Sequence, residues 1–132
     1  MMLMGIDSST PQASIALLTG GHVLAQAEVD INATVSNQIL FLIDRVLTSS
    51  GVNLMDLDGF CLTTGPGSFT GLRVGASILK GLLLATSKPF VKIDTLEALA
   101  HKRYQQVIKF APFWMQGKKK CTLPIFSRMT EF

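Results

Sequence analysis

Histidine and cysteine are scarce in this sequence, with two of each in 132 residues. His22 falls in a hairpin and His101 late in a helical segment, without the clustered His, Asp or Glu that a metal centre needs. Cys61 and Cys121 lie far apart and match no metal or disulfide framework. Buried small apolar residues in a reducing cytoplasm is the simpler reading of both. The same scarcity leaves no Ser-His-Asp or Cys-His arrangement that spacing supports, so no catalytic residue and no metal ligand is assigned.

Charge is also sparse, at 16% of residues against 48% apolar, which excludes a disordered chain and is enough for one core. No run approaches the ~18 apolar residues of a membrane span, because Lys80 and Gly81 interrupt the most apolar stretch. The opening "MMLMGIDSST" has no basic region and meets Asp7 at once, unlike a signal peptide. The net charge of +3 is unevenly placed. Residues 1–100 carry five Lys or Arg against eight Asp or Glu (−3), and residues 101–132 carry seven against one (+6). The body of the chain therefore offers no basic surface for nucleic acid.

What is present is organised by hydrophobic periodicity. Strands are predicted at about 2–7, 12–18 and 22–29, with Gly20-Gly21 as a hairpin signal between the last two. "SNQILFLIDRVLTSSG" places Ile39, Leu40, Ile43, Val46 and Leu47 at helical spacing, with Ser36 or Asn37 to cap its start and Gly51 to end it. "LDGFCLTT" and "PFVKID" are a fourth and fifth strand, separated by a helix that runs to about Thr86. A further helix opens at "TLEALAHKRYQQV", with Thr95 as its expected cap. The order βββαβαβα predicts an α/β lobe: a three-stranded meander, then two right-handed crossovers, giving a mixed five-stranded sheet with helices on its faces.

The segment "LTTGPGSFTGLRVGASILKG" holds five glycines within seventeen positions. Two functions compete for them. Gly65, Gly67 and Ser68, between a strand and a helix, could cradle an anion at the helix N-terminus together with Asp7, Ser8 and Ser9 of "GIDSST". No Walker or dinucleotide fingerprint can be drawn, and a turn with a cap explains the same residues. Further on, Gly71, Gly75 and Ala76, with Gly81 and Ala85, are small residues three or four apart on a helix, and they suggest a face kept small for a partner helix that Val74, Ile78 and Leu82 would also meet. Each interior glycine costs about 1 kcal/mol relative to alanine, so its retention asks for a close approach of some backbone. Ile39, Ile43 and Leu47 of the preceding helix join that interface.

Together "GIDSST", "SNQILFLIDRVL" and "TTGPGSFTGLRVGASILKGLLLA" resemble the TsaB family, also called YeaZ, over about residues 3–104. The string "GPGSFTGLR" is specific to that group and its relatives. The resemblance implies an actin-like/Hsp70-like ATPase (RNase H-like) lobe and a non-catalytic cytoplasmic scaffold. It implies pairing with TsaD, and with TsaE, in making N6-threonylcarbamoyladenosine at position 37 of tRNA. TsaD would carry the metal and the transfer chemistry, tRNA would be met only through the complex, and two copies would pair when TsaD is absent. ATP or ADP at an interface shared with the partners is the cofactor to consider. The alternative is one lobe of an ATP-dependent kinase-like phosphotransferase with Asp7 at the phosphates. A nucleotide cleft in such a fold lies between two lobes, which ranks this second.

Two features depart from the family. Val35-Ser36-Asn37 stands where many relatives have "HSE", and no role is assigned there. The family lobe is expected over residues 1–110, and 111–132 resemble nothing in the family, where a second lobe would follow. Trp114-Met115-Gln116-Gly117 back-translates to TGG ATG CAR GGN, and reading from one base earlier permits Leu-Asp-Ala-Arg-Lys-Lys-Glu-Val-Tyr. That resembles the segment with which relatives enter their second lobe, so a change of reading frame near Phe113 is expected, making the basic tail incidental. Nucleotide sequencing across the Phe113 codon checks this: codons incompatible with the alternative reading would rule it out.

Overall fold

The computed structural model of the chain describes residues 1–30 and 35–101. Thr19 and His22 are joined by Gly20 and Gly21 alone, both at positive φ (56° and 81°). Two such residues turn the chain with the twist that flanking strands need, a conformation glycine adopts without a Cβ penalty. The hairpin signal thus closes β2 (Gln12–Thr19) onto β3 (His22–Asp30), while β1 (Met2–Asp7) pairs antiparallel with β2. From β3 the chain passes through α1 (Val35–Ser50), one turn of 3-10 helix at Leu54–Asp56, β4 (Gly59–Thr63), α2 (Phe69–Thr86) and β5 (Phe90–Ile93). A third helix, α3, is described over residues 95–101.

The sheet order is β3-β2-β1-β4-β5, with β4 parallel to both β1 and β5. The expected mixed five-stranded sheet is therefore what forms. Both helical crossovers are right-handed by rule, and they bring α1 and α2 to the same face, where the two helices also touch. Alternate strand residues point into that face: Met4 and Ile6, Ala13, Ile15 and Leu17, and Phe60 and Leu62 are all buried. Helix α1 answers them with Ile39, Leu42, Ile43 and Val46, and α2 with Leu79.

Three local readings are corrected. Leu42 is in the core and Leu40 is exposed, because α1 is apolar on more than one side and the sheet selects the Ile39–Leu42–Ile43–Val46 stripe. Since α1 starts at Val35, Ser36 and Asn37 lie in its first turn, and the capping position falls outside the described residues. Asp94, not Thr95, caps α3: its Oδ1 accepts from the main-chain N–H of Leu96 at 2.8 Å and of Glu97 at 3.2 Å. Gly51 ends α1 as expected, at φ 68°, while Val52 N–H returns to the Leu47 carbonyl at 3.2 Å. Despite Lys80 and Gly81, α2 is long and apolar enough by length and composition alone to pass as a membrane span, a test that core helices also pass. In the fold it lies with Gly71, Gly75 and Leu79 buried against the sheet. The segment 111–132, and the part of the last helix beyond His101, lie outside the described residues.

Phe60 is the largest fully buried side chain. Phe60→Ala is expected to lower the unfolding free energy by about 3–5 kcal/mol, whereas Leu40→Ala should change it by less than about 0.5 kcal/mol. Urea denaturation of the two variants measures both.

Candidate functional site at the end of the first strand and along the second helix

The parallel register of β1 and β4, with Ile6 opposite Leu62, sets Asp7 beside Thr63 where both strands end. Asp7 Oδ1 accepts three hydrogen bonds: from Thr63 Oγ1 at 2.6 Å, from Ser9 Oγ at 2.7 Å and from Ser9 N–H at 2.9 Å. These hold the Asp7-Ser8-Ser9-Thr10 turn against the sheet. Thr63 was not singled out from the sequence, because only the strand register brings it to Asp7.

The turn is then sealed by α2. Ser8 and Ser9 are buried, and Ser8 Oγ donates to the Gly71 carbonyl at 2.9 Å. Ser9 carbonyl accepts from Ser68 N–H at 2.7 Å, and Ser68 Oγ caps α2 by accepting from Gly71 N–H at 3.2 Å. A Cβ on Gly67 would overlap the Ser9 carbonyl oxygen, one on Gly71 the Ser8 carbonyl oxygen, and one on Gly75 the Ser8 hydroxyl. The glycines run down the helix in contact with the chain's own first turn. Gly65 differs: its φ of 112° serves the loop conformation, and its carbonyl accepts from Thr95 N–H at 2.8 Å.

This geometry bears on both readings of the glycine segment. The anion cradle needs free main-chain donors, yet Ser68 and Gly71 N–H are spent inside the lobe and Ser8 and Ser9 are buried. The Ser9 carbonyl oxygen lies against Gly67 and accepts from Ser68 N–H, and Asp7 Oδ1 is held by Thr63 and Ser9. Among the described residues no group of three or more His, Cys, Asp or Glu could hold a metal ion.

The partner-helix reading is corrected in its residues. Gly71 and Gly75 face inward, and Ile39 and Ile43 are core residues. Leu47, Val74, Ile78 and Leu82 are half-buried along the seams of the lobe. The side chains that reach solvent on α1 and α2 are others: Leu40, Phe41 (64% exposed), Phe69 and Leu84 (77% exposed). Gly81 also faces outward, with open space where a Cβ would stand. Arg73 lies over the Phe69 ring at 5.2 Å from its centroid, which keeps that ring against the helix.

Comparison with known proteins places this lobe. The family model of TsaD, tRNA N6-adenosine threonylcarbamoyltransferase, matches residues 31–114. The chain belongs to the TsaB/TsaD family. It is 37% identical over 105 residues to the tRNA threonylcarbamoyladenosine biosynthesis protein TsaB of Haemophilus influenzae, covering 80% of this chain and 44% of that protein. The Escherichia coli protein of the same name is 34% identical over 106 residues, covering 80% and 46%. Among solved structures, YeaZ from Pseudomonas aeruginosa superposes with a TM-score of 0.73 at 30% identity, over 80% of this chain and 48% of that one. The expected TsaB (YeaZ) recognition and its actin-like ATPase lobe are thereby borne out. The chain spans about half the length of the curated relatives it matches.

The sealed turn generates a graded expectation. Gly75→Ala collides with a hydroxyl, so it should cost about 1–3 kcal/mol and be largely rescued by Ser8→Ala. Gly71→Ala collides with a main-chain carbonyl, so Ser8→Ala should not rescue it. Thermal unfolding of the two double-mutant cycles separates these outcomes.

Proposed function

We propose that the chain is a non-catalytic scaffold that acts with TsaD, and with TsaE, in forming N6-threonylcarbamoyladenosine at position 37 of tRNA in the cytoplasm. The observation that carries the reading is the 34–37% identity to two proteins named for threonylcarbamoyladenosine biosynthesis, joined to a site whose polar groups are turned inward. Asp7, the acidic residue that a phosphotransferase would need at its phosphates, is occupied in holding its own turn. That arrangement favours a structural part over a reacting one.

The contribution of such a subunit is a surface. Helices α1 and α2 pack side by side, so their outer faces adjoin, and they expose Leu40, Phe41, Phe69 and Leu84 in a chain short of charge. Exposed large apolar side chains on adjoining helices are candidates for a contact surface. Gly81, Ser77 and Ala85 supply small outward positions on α2, which allow a second helix to approach to the ~8–10 Å of close helix packing. The same faces would serve self-pairing when TsaD is absent. The helix-to-helix interface thus keeps its two helices but moves to their outward sides.

A pull-down of purified TsaD with this chain tests the reading. Gly81→Leu and Phe41→Glu are each expected to weaken capture at least about tenfold. Their thermal midpoints should hold, since both positions are exposed and leucine is the better helix former. Undiminished capture by both variants would place the interface elsewhere, and no capture by the parent chain would reject the scaffold reading.

A further inference from the structure

The third strand ends the sheet, with β2 on one side and no strand on the other among the described residues. Its register with β2 shifts between Leu17 and Leu18, near the hairpin, and beyond that bulge residues 25–30 pair regularly with residues 12–17. The outer main-chain groups of this second half keep the geometry that another strand can use. Beside the edge, β3 and α1 enclose a cavity of about 390 Å³, lined from β3 by Glu28 and Val29 and from α1 by Gln38, Phe41, Leu42 and Arg45. Gln38 with Leu42, and Phe41 with Arg45, are four apart, so they share the side of α1 that faces the edge. Val29 packs toward α1, so by strand alternation the Glu28 side chain belongs to the opposite face and its main chain lines the cavity. The cavity thus has an apolar floor of Val29, Phe41 and Leu42. Two polar groups in it are unused. Gln38 Oε1 is buried without a hydrogen-bond partner, which is costly until a donor reaches it. Arg45 is exposed and joins no ion pair among the described residues.

We propose that the groove between β3 and α1 takes an extended peptide by strand addition on β3, with an apolar last residue in the cavity and its terminal carboxylate at Arg45. Each part of such a ligand answers one feature of the groove. Main-chain hydrogen bonds to the free edge hold an extended segment, and a pocket beside the edge selects a side chain. A peptide N–H supplies the donor that Gln38 Oε1 lacks. The planar guanidinium of Arg45 matches a carboxylate in charge and in fork geometry. A second copy of this chain fits the same edge less well, because Glu28 and Asp30 lie in its pairing half and would bring acidic side chains together across it. The inference does not use the TsaD reading, since neither Gln38 nor Arg45 belongs to the surface proposed for that partner.

The experiment titrates the full chain into two fluorescein-labelled hexapeptides, Gly-Ser-Thr-Val-Thr-Leu and Gly-Ser-Thr-Val-Thr-Phe, each as the free acid and as the C-terminal amide, and follows fluorescence anisotropy. At least one acid is expected to bind with a Kd below about 200 μM, and its amide at least about tenfold more weakly. Arg45→Met should weaken the acid at least about tenfold and leave the amide unchanged. Gln38→Leu should weaken both forms while its thermal midpoint holds or rises, because it removes a buried acceptor that has no partner. With the acid bound, amide hydrogen exchange should slow at residues 25–30, which reads pairing along β3 as well as occupancy of the cavity. Binding of both acids weaker than about 200 μM would overturn the proposal. Equal affinity of acid and amide, indifference to Arg45→Met, or unchanged exchange along β3 would each overturn it too. Displacement of the peptide by free leucine or phenylalanine at a comparable Kd would make the cavity a small-molecule site and reject strand addition. No TsaD is present, so failure here leaves the scaffold reading standing, and failure of TsaD capture leaves this one standing.

Discussion

The lobe depends on how closely α2 can approach the turn that follows β1. Ser8 sits between Gly71 and Gly75, donating to the carbonyl of one and filling the space where the other would carry a Cβ. Ser9 fills the corresponding space at Gly67. With side chains absent at these three positions, helix and turn meet at main-chain distance, and the hydrogen bonds at Ser8 and Ser68 replace the water that the buried polar groups lost. The helix axis is thereby set, and with it the placement of Leu79 in the core and of Gly81 and Leu84 toward solvent. Core and outer surface follow from one contact.

The same contact gives a loop with the look of a phosphate cradle a role in packing the lobe. An anion site keeps helix N-terminal donors unspent and excludes competing acceptors. Here Ser68 and Gly71 N–H are consumed locally and a carbonyl oxygen lies beside Gly67. Asp7, which would have to face a metal to be useful, binds Thr63 and Ser9 instead. The polar residues at the head of the sheet contribute order, and the surfaces left to meet other molecules are apolar.

Much of the fold was legible from the residues. The Gly20-Gly21 turn, the Gly51 stop and the alternation along β1, β2 and β4 are local chemistry, and local chemistry is written in order along the chain. The candidate site was legible in a different sense. The string from Gly65 to Gly75 signalled that backbone must come close to something, which was correct. What came close could not be read, since Ser8 is more than sixty residues away in the chain. Leu40 and Leu42 show the same limit on a smaller scale. Both are leucines on an apolar helix, and the choice of the inward one belongs to the sheet it meets.

By itself the sequence determined the succession of strands and helices, the positions where the chain turns, and the family in which such a glycine string occurs. These are properties of residue type and spacing over a few positions. Only the tertiary structure decided that Gly71 and Gly75 answer an internal contact, that Asp7 is held by Thr63, and that Leu40, Phe41, Phe69 and Leu84 face solvent. The physical reason is that a helix has several faces and a glycine has no direction. The packing of distant segments, settled by strand register and burial, assigns each of them a neighbour.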